Sequence, residues 1–354
     1  MHVPDGFINA PVSAAAGVVA AAAVAVSLRG ARKELGGSPE AGGDRVAPLA
    51  GLVAAFVFAV QMLNFPVAAG TSGHLLGGAL AAILVGPWTG VLCIAVVLLM
   101  QGVLFADGGL TALGVNITVM GVVTVVAAYA VFRGLRLVLP RTRGGVTAAT
   151  FVAALVSVPA AAAAFTLVYA VGGTTDVPVG KVLTAMVGVH VLIGVGEAAI
   201  TALTVGAVLA VRPDLVHGAR GLTAPLKLRV GGELVDAAPA APEAPAPKSP
   251  RKLWIGGVVT ALVLAGVVSF YASASPDGLE KVAADQGIDA KADQYEHATA
   301  DSPLADYGVE GVESARLSGG LAGVIGVGAT LAVGTGAFWA VRRRRTENTG
   351  GARV

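Results

Sequence analysis

Apolar residues along this chain come in long unbroken runs, not in the alternation of a half-buried strand or the one-sided stripe of a surface helix. Eight runs stand out, at residues 8–28, 46–64, 74–105, 110–132, 146–171, 182–211, 253–271 and 319–341. Each is close to or beyond the roughly 20 residues that a helix needs to cross a bilayer. The third is too long for one crossing, and Gly86-Pro87 interrupts it, because a proline cannot carry a helix's hydrogen bonding through its own position. Two helices meeting at that pair are therefore predicted, the first of only about a dozen residues and so a half-helix that its neighbours must shield.

Charges between the runs set an orientation. Arg29, Arg32, Lys33 and Arg45, then Arg133, Arg136, Arg141 and Arg143, then the segment 212–252, and finally Arg342 to Arg345 all read as cytoplasmic under the positive-inside rule. The parity holds only if 74–105 counts as two passes. Seven helices then precede residue 212 and two follow it, with the N-terminus outside the cell membrane and the C-terminus in the cytoplasm. The predicted class is an all-α, multi-pass integral membrane protein, a seven-helix bundle followed by a C-terminal two-helix module. The first run has no positive charge before it and its arginines after it, so it does not read as a cleavable signal. Met1 is expected to remain on the mature chain.

Composition agrees with this and narrows the function. The chain is 55% hydrophobic and 13% charged, against roughly a quarter charged in soluble domains. A net charge of +2 spread over clusters argues against a nucleic-acid partner, and the lone Cys93 excludes an intrachain disulfide or a Cys-rich metal site. Residues 212–251 contain "GGELVDAAPAAPEAPAPKSP", an Ala/Pro tract that reads as an extended cytoplasmic tether. It divides the chain into a bundle at 1–211 and a two-helix module at 252–345, with a cytoplasmic tail at 346–354. The loop 272–318 of the second module holds ten Asp/Glu against three Lys/Arg, a net charge of −7, and such a loop draws cations toward the membrane surface.

Ionisable residues inside a membrane are costly and mark function. His2, Asp5, His74 and Asp107 fall on the outer side, and Gln101, Asn116, His190 and Glu197 lie in or near helices, while His217 and His297 read as ordinary surface histidines. A histidine at position 2 of a free N-terminus has a specific capability. The α-amine of Met1, the deprotonated amide nitrogen of His2 and the near imidazole nitrogen of His2 close two fused chelate rings on one metal ion, leaving one in-plane position open. Four nitrogens in a plane suit Ni(II) or Cu(II). His74, in the Gly-rich stretch "AAGTSGHLLGG", is the candidate for the fourth, and Val3-Pro4 favours an extended path for the N-terminus.

Those residues carry a resemblance. "MHVPDGF", "GTSGHLLGG", "ADGGLTALGVNITVMG" and "HVLIGVGEAAIT" are similar to the substrate-binding membrane subunit of nickel/cobalt transporters of the energy-coupling-factor class, a seven-helix S-component. The resemblance implies that the Met1 amine, the His2 amide and imidazole, and His74 hold the metal. It places Asp5, Ser72, Gln101, Asn116, His190 and Glu197 near or behind that site. "ASPDGLEKVA" and "SPLADYGVEGVE" resemble the small two-helix accessory subunit of nickel-type systems, PDGLE-containing and fused in this order. The implied cargo is Ni(II) or Co(II), with nickel favoured by the fusion. The implied partners are a membrane coupling subunit and two cytoplasmic ATPase subunits.

The chain has no Walker A pattern, since "VGKV" at 179–182 lacks both the leading glycine and a following Ser/Thr. It is not expected to bind or hydrolyse ATP, and it does not read as an enzyme. Two other readings compete: a stand-alone proton-coupled carrier with Glu197 and His190 as relay, and an intramembrane serine protease using Ser72 of "GTSG" with His190. Dependence on a partner ATPase separates the first from the transporter component. The two modules are expected to have separate jobs, metal binding in 1–211 and loading or release, by attraction at a distance, in the second.

Overall fold

The apolar runs become helices in the computed structural model, which describes residues 1–35, 46–68, 70–220, 227–230, 233–236, 251–290 and 297–350. The first is α1 (Ala10–Leu35). It starts where the Asn9 side chain accepts from the Val12 N–H at 3.1 Å, an N-cap that satisfies one orphan donor of the first turn. α2 (Val46–Gln61) follows. Next comes a hairpin that the apolar pattern hid, β1 (Phe65–Ala68) against β2 (Thr71–Gly73), pairing Phe65 with Gly73 and Pro66 with Ser72.

The break at Gly86-Pro87 is present. α3 (Gly78–Val85) has eight residues, all buried, and α4 (Pro87–Leu104) begins at the proline. α3 is shorter than the dozen residues expected because the stretch after His74 is held out of helix. The backbone N–H groups of Leu76 and Gly77 donate to Glu197, at 2.7 and 3.1 Å. At the other end of the break, Glu34 of α1 accepts from the Trp88 and Thr89 N–H groups and from the Thr89 hydroxyl. A carboxylate at a helix N-terminus meets both the unpaired donors and the positive end of the helix dipole.

α5 (Leu113–Val138) contains a π-helical segment at Ile117–Val123 directly after Asn116. α6 (Arg143–Gly172) and α7 (Val179–Val211) pack along each other as a long pair. Seven helices thus precede residue 212, as expected. Among the described residues, five of these and two later helices are long and apolar enough to cross a membrane. The protein is a multi-pass membrane protein.

The segment after α7 departs from a structureless tether. Short 3₁₀ turns at Pro213–Leu215 and His217–Ala219 are followed by a second hairpin, β3 (Lys227–Val230) with β4 (Glu233–Asp236). The rest of the proposed linker, at 221–226, 231–232 and 237–250, lies outside the described residues, as does Arg45.

In the second module α8 (Arg251–Gly266) is followed by the short α9 (Gly278–Gln286) and by α10 (Ala315–Gly350). α10 runs nine residues' worth of chain past the apolar pattern's end, so the tail expected at 346–354 begins as helix, and 351–354 lie outside the described residues. α8 and α10 pack against α2. The seam is close: a Cβ on Gly51 of α2 would lie 2.2 Å from the Thr335 hydroxyl, and one on Gly326 of α10 would lie 2.2 Å from the Phe58 ring.

Candidate metal centre

Residues 1–7 have no regular structure, yet Met1, Val3 and Phe7 are each at most 3% exposed. Their backbone polar groups therefore need partners inside the protein, and the bundle supplies them. Asn116 treats Val3 as a neighbouring strand would: its Oδ1 accepts from the Val3 N–H at 2.8 Å and its Nδ2 donates to the Val3 carbonyl at 3.0 Å. The same carbonyl accepts from the Gly109 N–H. Asp5 accepts from the Thr111 N–H and hydroxyl. Thr174 donates to the Gly6 carbonyl, and the Asn9 N–H donates to Gly172.

Held in this way, the Met1 ammonium donates to two acceptors, His74 Nε2 at 2.7 Å and Asp277 Oδ2 at 2.5 Å. His74 Nδ1 lies 3.0 Å from the Leu75 carbonyl, which fixes the proton on Nδ1 and leaves the Nε2 lone pair facing the amine. The His2 ring stacks on the His74 ring, with centroids 5.1 Å apart and planes 13° from parallel. His2 Nδ1 lies 3.1 Å from Asp107 and Nε2 lies 3.2 Å from Gln101. Tyr307, from the second module, donates to Asp107 at 2.5 Å and accepts from Gln101 at 3.1 Å. One ligand atom from each of His2, His74 and Asp277 lies within 4.8 Å of the others.

Electrostatics suit a cation. Burial pushes His2 down to about 4, more than the neighbouring Asp107 can offset, so the ring is neutral with a lone pair to offer. Burial opposes charge on Asp277 as well, but the ammonium and His74 overcome it and hold the carboxyl well below the usual carboxylate range. Tyr307 is pushed well above the usual phenol by burial and by Asp107, which keeps it a donor. These groups border a cavity of about 660 Å³.

The other sequence candidates fall into two groups. Gln101 faces the His2 ring and Asn116 holds the Val3 backbone, as just described. His190 is buried behind the site, its Nδ1 2.7 Å from the Met186 carbonyl and its Nε2 without a hydrogen-bond partner among the described residues. It lines a small space together with Met1, His74 and Asp277. Glu197, Asp5 and Ser72 act on backbone: Glu197 fixes the loop after His74, Asp5 anchors the N-terminal segment, and Ser72 donates to the Ser275 carbonyl at 2.7 Å. Ser72 and His190 thus each have other commitments and form no dyad. His217 and His297 are not simple surface histidines. His297 Nε2 donates to the Gly108 carbonyl, and His217 lies 3.3 Å from the Tyr129 hydroxyl with its pKa pushed by burial to about 4.

Sequence reasoning missed Asp277 and Tyr307. The signal for Asp277 was present in "PDGLE", where an Asp three residues before a Glu at a helix start makes a capping box, but a capping box does not say what the second carboxylate oxygen faces. Tyr307 left no signal beyond an aromatic in an acidic loop.

With the geometry in place, comparison with known proteins fixes the class. Residues 2–215 match the family described as the cobalt uptake substrate-specific transmembrane region, CbiM, and the chain belongs to that family. Residues 251–343 match the PDGLE domain, so the chain is a CbiM-type region fused to a PDGLE-containing accessory module, a transport component and not an enzyme. A protein of Haloquadratum walsbyi, provisionally named a metal transport protein, is 38% identical over 216 residues, which cover 61% of this chain and 93% of the relative. One of Archaeoglobus fulgidus, provisionally named a fused nickel transport protein NikMN, is 37% identical over 222 residues, or 61% of this chain and 68% of the relative. A crystal structure of a transition metal transporter aligns with a TM-score of 0.52 at 25% identity, covering 60% of this chain and 93% of that one.

Proposed function

We propose that this chain is the substrate-binding membrane component of an energy-coupling-factor transporter that takes up Ni(II) or Co(II), with nickel favoured by the fused accessory module. The observation that carries the reading is the convergence of lone pairs from His74 Nε2 and Asp277 Oδ2 on the Met1 ammonium, beside a neutral His2. The pocket already binds a cation, the chain's own. Loss of one proton from that ammonium and one from the His2 amide turns the same residues into three nitrogens of a chelate, and His74 Nε2 supplies the fourth. A square plane of nitrogens suits Ni(II), whereas Zn(II) gains nothing from it.

Metal ligation in this reading belongs to residues 1–211, and residues 252–345 form the accessory module across the 212–251 linker. The N-terminus faces outward and the C-terminus the cytoplasm. Without an ATPase motif of its own, the chain draws energy through a membrane coupling subunit and two cytoplasmic ATPase subunits. The proton-coupled alternative is less well supported, because both Glu197 oxygens accept backbone N–H groups and His190 Nδ1 is engaged by Met186. An uncleaved residue added before Met1 removes the amine and shifts His2 out of chelate register. Ni(II) titration of that variant, followed by absorption, is expected to show neither the affinity nor the spectrum of the native chain, and an unchanged titration would sink the chelate.

A further inference from the structure

We infer that Asp277 is a metal ligand during loading: His2, His74 and Asp277 form a mixed nitrogen–oxygen site, built across the two modules, that takes the divalent cation before the four-nitrogen plane closes. The inference rests on the proposed function and adds a residue, a second donor set and an order of events to it.

Asp277 is aimed. Its Oδ1 accepts from the Leu279 and Glu280 N–H groups at 2.7 and 2.9 Å, while its own N–H donates to Glu280 at 2.8 Å, so the capping box at the start of α9 fixes the residue. The segment before it is pinned to β2, where the Ser72 N–H donates to the Pro276 carbonyl at 2.8 Å and the Ser72 hydroxyl to Ser275 at 2.7 Å. The segment after it is wedged in place, since a Cβ on Gly278 would lie 2.8 Å from Ile193 and 3.0 Å from His190. What remains is Oδ2, 3.5 Å from His74 Nε2 and within 4.8 Å of the His2 donor. Helix capping uses one oxygen, and the other is presented to the pocket.

The two donor sets differ in what they demand of an arriving ion. The four-nitrogen plane requires the ammonium and the His2 amide each to give up a proton to water. Two imidazole nitrogens and the Asp277 carboxylate can bind without loss of an amide proton, and the carboxylate offers a negative charge that the nitrogen set gains only once the His2 amide is deprotonated. The cation displaces the ammonium from both His74 Nε2 and Asp277 Oδ2, binds His2, His74 and Asp277, and is passed to nitrogen as the amine and amide protons leave. Coordination of the ion therefore comes before proton release. Because the carboxylate belongs to the second module, that module loads the ion by touching it, and not only by drawing it near.

The test uses the full chain in detergent, mixed rapidly with Ni(II), while the planar nickel absorption and a pH dye are followed together. Asp277→Asn keeps an oxygen to cap α9 and removes the anion from the pocket. Asp277→Ser does the same with a different cap and guards against a folding defect peculiar to Asn. In both variants loading is expected to slow by ~10-fold or more, the lower end of what a charge-lined cleft contributes to association, with the final planar spectrum retained. Asp285→Asn, at an exposed pair with Lys281, is expected to load at the wild-type rate. Freeze-quenched wild type is expected to show nickel bound to two imidazoles and oxygen ahead of proton release, a species missing from Asp277→Asn. Wild-type loading rates in both Asp277 variants, or proton release that keeps pace with the first binding phase, would overturn the inference. A wild-type chain that stops at the mixed complex and never forms the planar spectrum would instead sink the chelate reading while leaving the loading site standing.

Discussion

The carboxylate of Asp277 lies 2.5 Å from the α-amine of Met1, across 276 positions of chain. Both groups are nearly buried, with side-chain exposures of 1% and 10%, and a buried charge is tolerated only when it is paired. The pair therefore holds the N-terminus in the bundle and the second module over the site at once. This corrects the expectation that the two modules work apart and that the acidic loop acts only from a distance. Of the acidic residues in that loop, Asp293 and Glu296 lie outside the described residues, Asp277, Glu280 and Asp306 line the pocket, and Asp277 is the one paired with the Met1 amine.

His74 and the residues around it should separate by the size of their effects. His74→Ala removes a proposed ligand and is expected to weaken Ni(II) binding by far more than the roughly 10- to 100-fold typical of residues that only support ligands. Asn116→Ala and His190→Ala should stay within that range. Calorimetric titration of the three variants checks the order, and equal losses would mean that His74 is not a ligand.

Proton release offers a count. Because the Met1 ammonium and the His2 amide both deprotonate in the chelate, binding of one nickel ion is expected to release about two protons. Titrations in buffers of different ionisation enthalpy measure the number. A value near zero would leave only the imidazoles as nitrogen donors.

Tyr307 should matter to the metal without touching it. Its hydroxyl ties Asp107 to Gln101, and these two face the nitrogens of His2. Tyr307→Phe keeps the ring, which stacks on Phe105, and loses the hydroxyl. Nickel affinity is expected to fall by about 10-fold, while Phe105→Leu, which removes the ring packing with Tyr307 and Phe58 but keeps the Tyr307 hydroxyl, should leave it near wild type. Similar losses in both variants would assign the effect to packing.

His217 gives the fold a pH limit. Burial, with Arg220 and Arg133 nearby, lowers its pKa to about 4 from 6.5, so the unfolded chain binds a proton there more readily than the folded one. Stability from this group is complete above the unfolded pKa and is lost as pH falls through the folded value. Thermal unfolding at about pH 7.5 and about pH 5 should show a larger drop for wild type than for His217→Gln, and equal drops would remove His217 from the explanation.

Much of the architecture was legible because membrane crossing forces long apolar runs, and because Gly86-Pro87 cannot be crossed by a continuous helix. The meeting of Met1 with His74 was also readable, since chelation at position 2 needs one more nitrogen and His74 stands in a glycine-rich stretch that lets backbone approach. The hairpin at Phe65–Gly73 was not, because it fills the gap between two apolar runs with strands of only four and three residues, one carrying a proline, which read as a connecting loop. α10 outran its apolar run because arginine is a good helix former, so the helix continues where the hydropathy falls. Asp277 was the largest omission. Its local sequence describes a helix cap completely, and the oxygen left over finds its partner only after a fold brings residues 1 and 277 together.

The seam between α2 and α10 bears on why the two modules share one polypeptide. Gly51 against Thr335 and Gly326 against Phe58, with the hydrogen bonds at Ser72, Gly108 and Leu104, specify how the pieces sit without help from the segment that joins them. The joining segment then contributes local concentration, holding each accessory module near its own bundle so that docking does not depend on how many copies of either the membrane contains. Severing the chain within 237–250 should accordingly yield two fragments that purify as a one-to-one complex, with a loading rate that becomes sensitive to dilution in lipid where that of the intact chain is not.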